Sequence, residues 1–551
     1  MTTTPELTTT PDLTTSVDHP TTPARRWTIL AVLCLSVFVI VVDGTIVNVA
    51  LPTFGRELGA STSQLQWIVD AYVLVFAGLL MAAGSLGDRV GRKGTLQVGL
   101  ALFAVTSALA GLAGSSTELI AWRAAMGVGA ALIFPATLAL LVNVFTQPKE
   151  RAVAIAVWAA TSGLAVALGP VTGGFLLEHY WWGSIFLVNV PVIAVAMVLV
   201  ARVVPTSRDT AVPRFDPVGT LLSIASVTLL VWAVIEGPVH GWTSPASVAA
   251  FAVAAVALAV FVWWERRIDH PMLDVALFRS LRFTAGSLSV TFAFFALFGF
   301  IFMVTQYFQL VRGYGTLEAG VRTVPFAVFT AIAAPLSARA AERIGTKAVV
   351  SAGLASMAVG FAWTTTLVTD TSYWVIIGQM LFMGGGLGLV NAPATEAILG
   401  ALPPDKAGVG SAVNDTAREL GGTLGVAVVG SVFASQYAAR LGELLAATPV
   451  PAEALAAAQE SVFAGAAVAG QAGETAGPQA GALVRDAVDQ AFLAGFHAGS
   501  WVAAGVVLAG AVLAWRFLPA RGAEAPTGEA VPWAPGSAAP SPAPSPAPSV
   551  A

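Results

Sequence analysis

The stretch Gly84-Ser85-Leu86-Gly87-Asp88-Arg89-Val90-Gly91-Arg92-Lys93 is the one whose reading decides the fold. Apolar runs flank it, at residues 65–86 and 95–114. Each is close to the ~20 residues that one helical crossing of a bilayer needs. A short connector rich in glycine and charge therefore joins two antiparallel membrane helices. Read outward from it, the pattern repeats, with apolar runs at 27–50, 119–145, 152–177, 184–203, 217–236, 246–264, 283–310, 317–338, 347–368, 373–399, 407–435 and 491–518. Fourteen crossings follow.

Composition agrees. The 551 residues are 56% hydrophobic and 11% charged, with a mean hydropathy of +0.79, whereas soluble domains carry ~25% charged residues. Lipid cannot satisfy open backbone groups, so the spans are helical. The ~10-residue alternating strands of a membrane barrel are absent. The fold class is an all-α polytopic membrane protein. A net charge of −4 gives no footing for nucleic acid. The single cysteine, Cys34, excludes an intrachain disulfide and a cysteine-built zinc cluster. No cofactor or metal pattern is found. No Gly-x4-Gly-Lys-Ser/Thr loop occurs, so ATP is not this chain's energy source. Nor is there a catalytic motif that would make it an enzyme.

Basic residues set the orientation. Most of the 27 Lys and Arg fall on one side, among them Arg25, Arg26, Arg89, Arg92, Lys93, Arg266, Arg267, Lys347 and Arg516. The other side carries only Arg56, Arg312, Arg440 and Arg485, while Arg123, Arg322 and Arg418 fall within or at the edge of spans. Both termini are expected in the cytoplasm and the chain in the inner membrane. Residues 1–24 and 519–551 read as disordered tails.

The chain also repeats itself. Asp88-Arg89-Val90-Gly91-Arg92-Lys93 after the second run matches Glu342-Arg343-Ile344-Gly345-Thr346-Lys347 after the tenth, and Pro135-Ala136-Thr137 matches Pro393-Ala394-Thr395. The economical organisation is a six-helix bundle over 25–205, two inserted helices over 206–281, and a second six-helix bundle over 282–518. Parallel halves around a midplane site are a transporter architecture. An Ala-rich outer loop, 436–490, either forms a short amphipathic hairpin or stays mobile.

Charges inside spans are the informative residues, because an ionised group in lipid costs at least ~2.5 kcal/mol and must face a cavity or pair. Asp43 lies roughly 24 Å along its helix from Trp27. Asp70 and Arg123 enter their spans from the far side, at similar depth. An acid with a nearby arginine, partly desolvated, suits proton coupling, and a structural ion pair would use the same residues. In the thirteenth span Asp415, Arg418 and Glu419 share a helix face; one pair neutralises and the leftover acid needs a proton or another partner. Glu396 is expected to snorkel, and Glu236 to be structural. Trp158, Phe134, Phe186, Phe302, Tyr307 and Trp363 are candidates to hold a flat cation. Asn48 and Asn414 join Phe134, Trp158 and Tyr307 as candidate substrate contacts.

Taken in order, several motifs carry a resemblance. They are Asp43-Gly44-Thr45-Ile46-Val47-Asn48-Val49-Ala50-Leu51-Pro52, the 84–93 loop, Arg123-Ala124-Ala125-Met126-Gly127-Val128-Gly129, Gly163 to Gly169-Pro170 and Gly173-Gly174, Phe186-Leu187-Val188-Asn189-Val190-Pro191, and Asn414 to Arg418-Glu419-Leu420-Gly421-Gly422. The chain resembles the fourteen-span drug:proton antiporter branch of the major facilitator superfamily. The resemblance implies a gating latch at Gly84, Asp88, Arg89, Gly91 and Arg92. It implies a proton-transfer arginine at Arg123, with an acid tied to coupling at Asp43. It makes Gly163, Gly169, Pro170, Gly173 and Gly174 the seam across which the halves rock. The function so implied is proton-coupled export of hydrophobic or cationic drugs by a single chain, its partners being the small molecule, protons and the bilayer. A proton-coupled importer and a non-transporting receptor or scaffold are the rival classes.

Overall fold

The structure, a computed structural model, describes residues 23–208, 216–402 and 407–519. The first bundle holds α1 (Pro23–Glu57), α2 (Thr62–Val90), α3 (Arg92–Gly111), α4 (Ser116–Val144), α5 (Pro148–His179), and α6 (Ser184–Leu187) with α7 (Asn189–Val203) as one crossing. The inserted pair is α8 (Pro217–His240) and α9 (Pro245–Glu265). The second bundle holds α10 (Leu281–Gln306), α11 (Thr316–Ile344), α12 (Thr346–Thr364), α13 (Tyr373–Leu399), α14 (Ala407–Leu445) and, after two short helices, α15 (Ala452–Glu460) and α16 (Val462–Ala476), the final α17 (Pro478–Phe517). Fourteen helices among the described residues are long and apolar enough to cross a membrane. The start of α1 and the end of α17 lie on one face, called here the terminal face.

The internal repeat has a structural counterpart. Gly91 ends α2 at φ +126° and Gly345 ends α11 at φ +90°. A side chain is strained at such angles, so both connectors need glycine. Each glycine N–H then closes the preceding helix, Gly91 on Gly87 O (3.0 Å) and Gly345 on Ala341 O (2.9 Å).

Two expectations are corrected. Of the two alternatives for the 436–490 segment, the mobile loop is corrected, and the short hairpin is the nearer description. α14 runs on to Leu445, α17 begins at Pro478, and α15 and α16 fold between them. Alanine is the best helix former, which explains why an Ala-rich segment becomes helix. Tyr437 Oη donates to Ala458 O (3.0 Å), and Gln459 Nε2 donates to Ala438 O (3.0 Å), tying α15 down onto α14. Of the stretches read as disordered tails, Pro23 and Ala24 already belong to α1. Residues 1–22 and 520–551 lie outside the described residues.

The bundles meet toward the face opposite the termini. Thr305 Oγ1 on α10 donates to Asn48 O of α1 (2.9 Å), and Gln309 Nε2 donates to Val49 O (2.8 Å). Gln66 Nε2 on α2 donates to Val426 O and Ala427 O of α14 (3.1 and 3.0 Å). Thr316 Oγ1 on α11 donates to Gly174 O of α5 (3.1 Å). Toward the terminal face the bundles part around a cavity of about 730 Å³.

Candidate functional site

α1 brings Asp43 and α4 brings Arg123 to the middle of the first bundle, and both side chains are 0% exposed. Arg123 Nη1 donates directly to Asp43 Oδ2 in an ion pair. The pair is surrounded by groups from six helices, counting its own two. Asn189, the first residue of α7, donates from Nδ2 to Asp43 Oδ1 (2.8 Å) and to Ser107 Oγ on α3 (3.1 Å). Ser107 Oγ in turn donates to Phe186 O of α6 (2.8 Å). Arg123 Nε donates to Ile68 O of α2 (3.1 Å), and its guanidinium lies 4.2 Å over the Tyr72 ring. Arg123 Nη2 has no hydrogen-bond partner among the described residues. Buried charges survive only when paired and hydrogen-bonded, and Asp43 has both kinds of support. Asn189, Ser107 and Tyr72 escaped the sequence reading as site residues. Asn189 stands in a quoted motif, but a neutral amide carries no desolvation signal to single it out.

Asp70 is a different case. It is 0% exposed, yet neither carboxyl oxygen has a hydrogen-bond partner among the described residues. It sits one helical turn from Gln66, on the side of α2 that faces α14. The structure thus sets one acid inside the first bundle and a second on the seam between the bundles.

In the second bundle the expected pairing of Arg418 with Asp415 or Glu419 does not form. Arg418 reaches instead to α13, where Nη2 donates to Asn391 Oδ1 (2.7 Å) and Thr395 Oγ1 (3.3 Å), with Phe294 of α10 5.4 Å from its guanidinium. Helical spacing puts the three charges on one face, but a long side chain takes the oxygens of the neighbouring helix when these stand closer. Asn414 is bound into the same network, its Oδ1 accepting from Thr395 Oγ1 (3.1 Å). Asp415 lines the cavity.

The cavity wall is otherwise mostly apolar, with Met81 and Phe134 at its side and Asp88, Arg92 and Asn143 toward its mouth. Phe134 is held by an edge contact with Trp158 (5.0 Å), which is 8% exposed and bonds Thr137. The other aromatic and amide candidates lie elsewhere. Asn48, Phe186, Phe302 and Tyr307 are buried outside the cavity, Asn48 donating within its own helix and Tyr307 capping Val368 O. Trp363 packs on Phe382 and is partly exposed on the outer surface. At the 84–93 connector, Arg92 Nε donates to Asp88 Oδ1 (2.6 Å), and Arg92 Nη1 donates to Ser207 Oγ beyond α7 (3.2 Å). These bonds stay inside the first bundle, beside the cavity mouth.

The glycine stripe of α5 divides into three. A Cβ on Gly173 would come within 2.6 Å of Ile46 on α1, and Gly169 packs on Thr45 of the same helix. Gly174 meets the second bundle, where a Cβ would come within 2.6 Å of Leu317 Cα on α11. A Cβ on Gly163 would meet no other part of the described structure within 4 Å, so this glycine is not part of a packed seam. Glu236 accepts from Trp67 Nε1 (3.1 Å), a structural contact as expected, and Glu396 is exposed. Among the described residues no three His, Cys, Asp or Glu side chains gather to hold a metal ion.

Residues 33–426 match the family model described as Major Facilitator Superfamily. The chain is 40% identical over 492 residues to the multidrug efflux pump LfrA of Mycolicibacterium smegmatis, covering 89% of this chain and 96% of that one. It is 33% identical over 494 residues to the tetracenomycin C resistance and export protein of Streptomyces glaucescens, covering 89% and 91%. Among solved structures, a bacterial homologue of the lysosomal transporter Spinster superposes with a TM-score of 0.61 at 17% identity, over 90% of this chain and 98% of that one.

Proposed function

The chain belongs to the major facilitator superfamily, and on that premise we propose that it exports hydrophobic or cationic drugs in exchange for protons and confers resistance to them. The relatives named for multidrug efflux and for antibiotic export support the cargo class. Proton coupling is carried by one observation, the Asp43–Arg123 pair closed inside the first bundle with Asn189 as its third member. A proton arriving on Asp43 cancels the charge that holds α1 against α4 and α7. Asp70, unpartnered on the α2–α14 seam, is the second site where a proton removes a charge that motion would otherwise leave uncompensated. Asp415 and Glu419 on α14 are the acids that would meet a cationic drug or a further proton, with Arg418 held back by Asn391.

In this reading the terminal face is cytoplasmic, as the excess of Arg and Lys there favours. The cavity then takes its cargo from the cytoplasm or inner leaflet of the cell membrane. Rocking closes it by bringing the 84–93 connector toward the second bundle, and parts the contacts at Gln66, Thr305 and Gly174. One chain contains both halves and suffices as a monomer.

Everted membrane vesicles test the proposal. With an acid interior they are expected to accumulate ethidium, and a protonophore to abolish it. Uptake that survives the protonophore rejects proton coupling. Uptake driven only by an alkaline interior would mark an importer.

A further inference from the structure

The inserted helices α8 and α9 have no part in the exchange as described so far, yet they touch both bundles. α8 lies along the α2–α14 seam. Val231 and Val234 of α8 cluster there with Leu74 of α2 and Ala427 of α14. Gly78 leaves room for Ile224, whose Cγ1 would stand 2.7 Å from a Cβ at that position. The chain leaving α9 then returns to the cavity, whose lining Met272 shares with residues of both bundles, among them Leu80 of α2 and Ala412 of α14.

Met272 is held from behind by a buried polar cluster. Thr220 Oγ1 lies 3.3 Å from its sulfur. The next residue, Leu273, donates its N–H to Glu265 Oε2 (2.9 Å). Glu265 is 3% exposed and Asp216 4% exposed. Trp264 Nε1 donates to both oxygens of Asp216 (3.1 and 3.0 Å), as does Gly219 N to Oδ1 (2.9 Å). A Cβ on Gly219 would overlap both Glu265 Oε1 and Asp216 Oδ2, so the two carboxyl groups meet above that glycine. A surface connector needs none of this. Of the two nearly buried acids, Glu265 fixes the backbone next to Met272, while Asp216 caps α8 and holds Trp264 beside it.

We propose that Met272 is a specificity-determining contact for the transported molecule, and that Glu265 with Asp216 positions it. The inference rests on the reading of the cavity as the cargo site. A thioether is polarizable and unbranched, and it adapts to a flat aromatic face. The favoured ligand class is therefore a flat aromatic monocation, with Asp415 in the lining of the same cavity to answer the charge.

The full chain in everted vesicles tests this with two probes, ethidium as the flat cation and tetraphenylphosphonium as the globular one. Met272→Ala is expected to change the ratio of their apparent KM values by at least about threefold, ethidium losing more, with kcat little altered. Phe134→Ala serves as reference on another wall. A ratio moved by Phe134→Ala but not by Met272→Ala overturns the role of Met272 and leaves the cavity reading intact. A ratio moved by neither overturns both. Glu265→Ala is expected to shift the ratio in the same direction as Met272→Ala. Glu265→Gln, which keeps an acceptor for the Leu273 N–H, is expected to recover most of it. If both substitutions only lower kcat, and lower it equally for the two probes, Glu265 is structural and does not position Met272.

Discussion

At the residue scale, the Asp43–Arg123 pair separates stability from coupling. Removing one partner of a buried pair leaves an uncompensated charge and costs roughly 3–5 kcal/mol. Asp43→Asn should therefore lower the unfolding temperature in detergent and abolish drug efflux at equal expression. The double variant Asp43→Asn with Arg123→Gln removes both charges, and it should regain much of the lost unfolding temperature without regaining efflux. Recovery of both would reduce the pair to a structural role. Arg123→Lys should also fail in efflux. One ammonium cannot bond Asp43, donate to Ile68 O and stack on Tyr72 with the planar geometry of a guanidinium.

The element scale belongs to α5, whose glycines look alike in sequence and stand in unlike surroundings. Gly174→Ala would press a methyl group against the Leu317 backbone on α11, which cannot rotate away. Overpacking of this kind costs about 1–3 kcal/mol, and here it falls on the contact between bundles. Thermal unfolding should drop and transport should slow. Gly163→Ala meets nothing within 4 Å and gains helix propensity. It should leave the unfolding temperature unchanged or raise it slightly, by an amount consistent with about 0.5–1 kcal/mol. Equal damage from the two substitutions would contradict the division of the stripe.

On the scale of the whole molecule, all the contacts between bundles described above lie toward the face opposite the cavity. Alternating access requires them to part. The α1–α2 turn and the end of α15 are joined by Thr62 Oγ1 donating to Glu460 O (3.1 Å), and Phe463 of α16 fills the notch left by Gly55 of α1. A cross-link between cysteines at these places, Thr62→Cys with Glu460→Cys in a Cys34→Ser background, should stop transport while leaving ethidium able to bind. Reduction should restore transport. Transport that continues while the link is intact would show that this face need not open. The energy available is ~2.3 kcal/mol per charge per 100 mV, the worth of about two neutral hydrogen bonds at about 1 kcal/mol each, so most of the contacts parted on this face must be offset by contacts formed as the cavity side closes.

Much of this protein could be read without coordinates, because the bilayer is a stringent solvent. It forces runs of about 20 apolar residues, makes them helical, and turns each charge within them into a signal. Asp43, Asp70 and Arg123 stood out for that reason, and the connector that the sequence shows twice carries a glycine of positive φ in each copy, Gly91 and Gly345. Partner choice could not be read in the same way. Arg418 was matched to acids on its own helix by spacing, and in the fold it bonds Asn391 and Thr395 across a helix boundary. Asn189 became the partner of Asp43, with Ser107 behind it, only when three helices met. Gly163 and Gly174 parted company for the same reason. Hydrophobicity acts on each residue wherever it stands, so the order of residues along the chain determined the crossings. Hydrogen bonds and close contacts act between particular atoms at a few ångströms, so only the packed tertiary structure decided which side chains form the site.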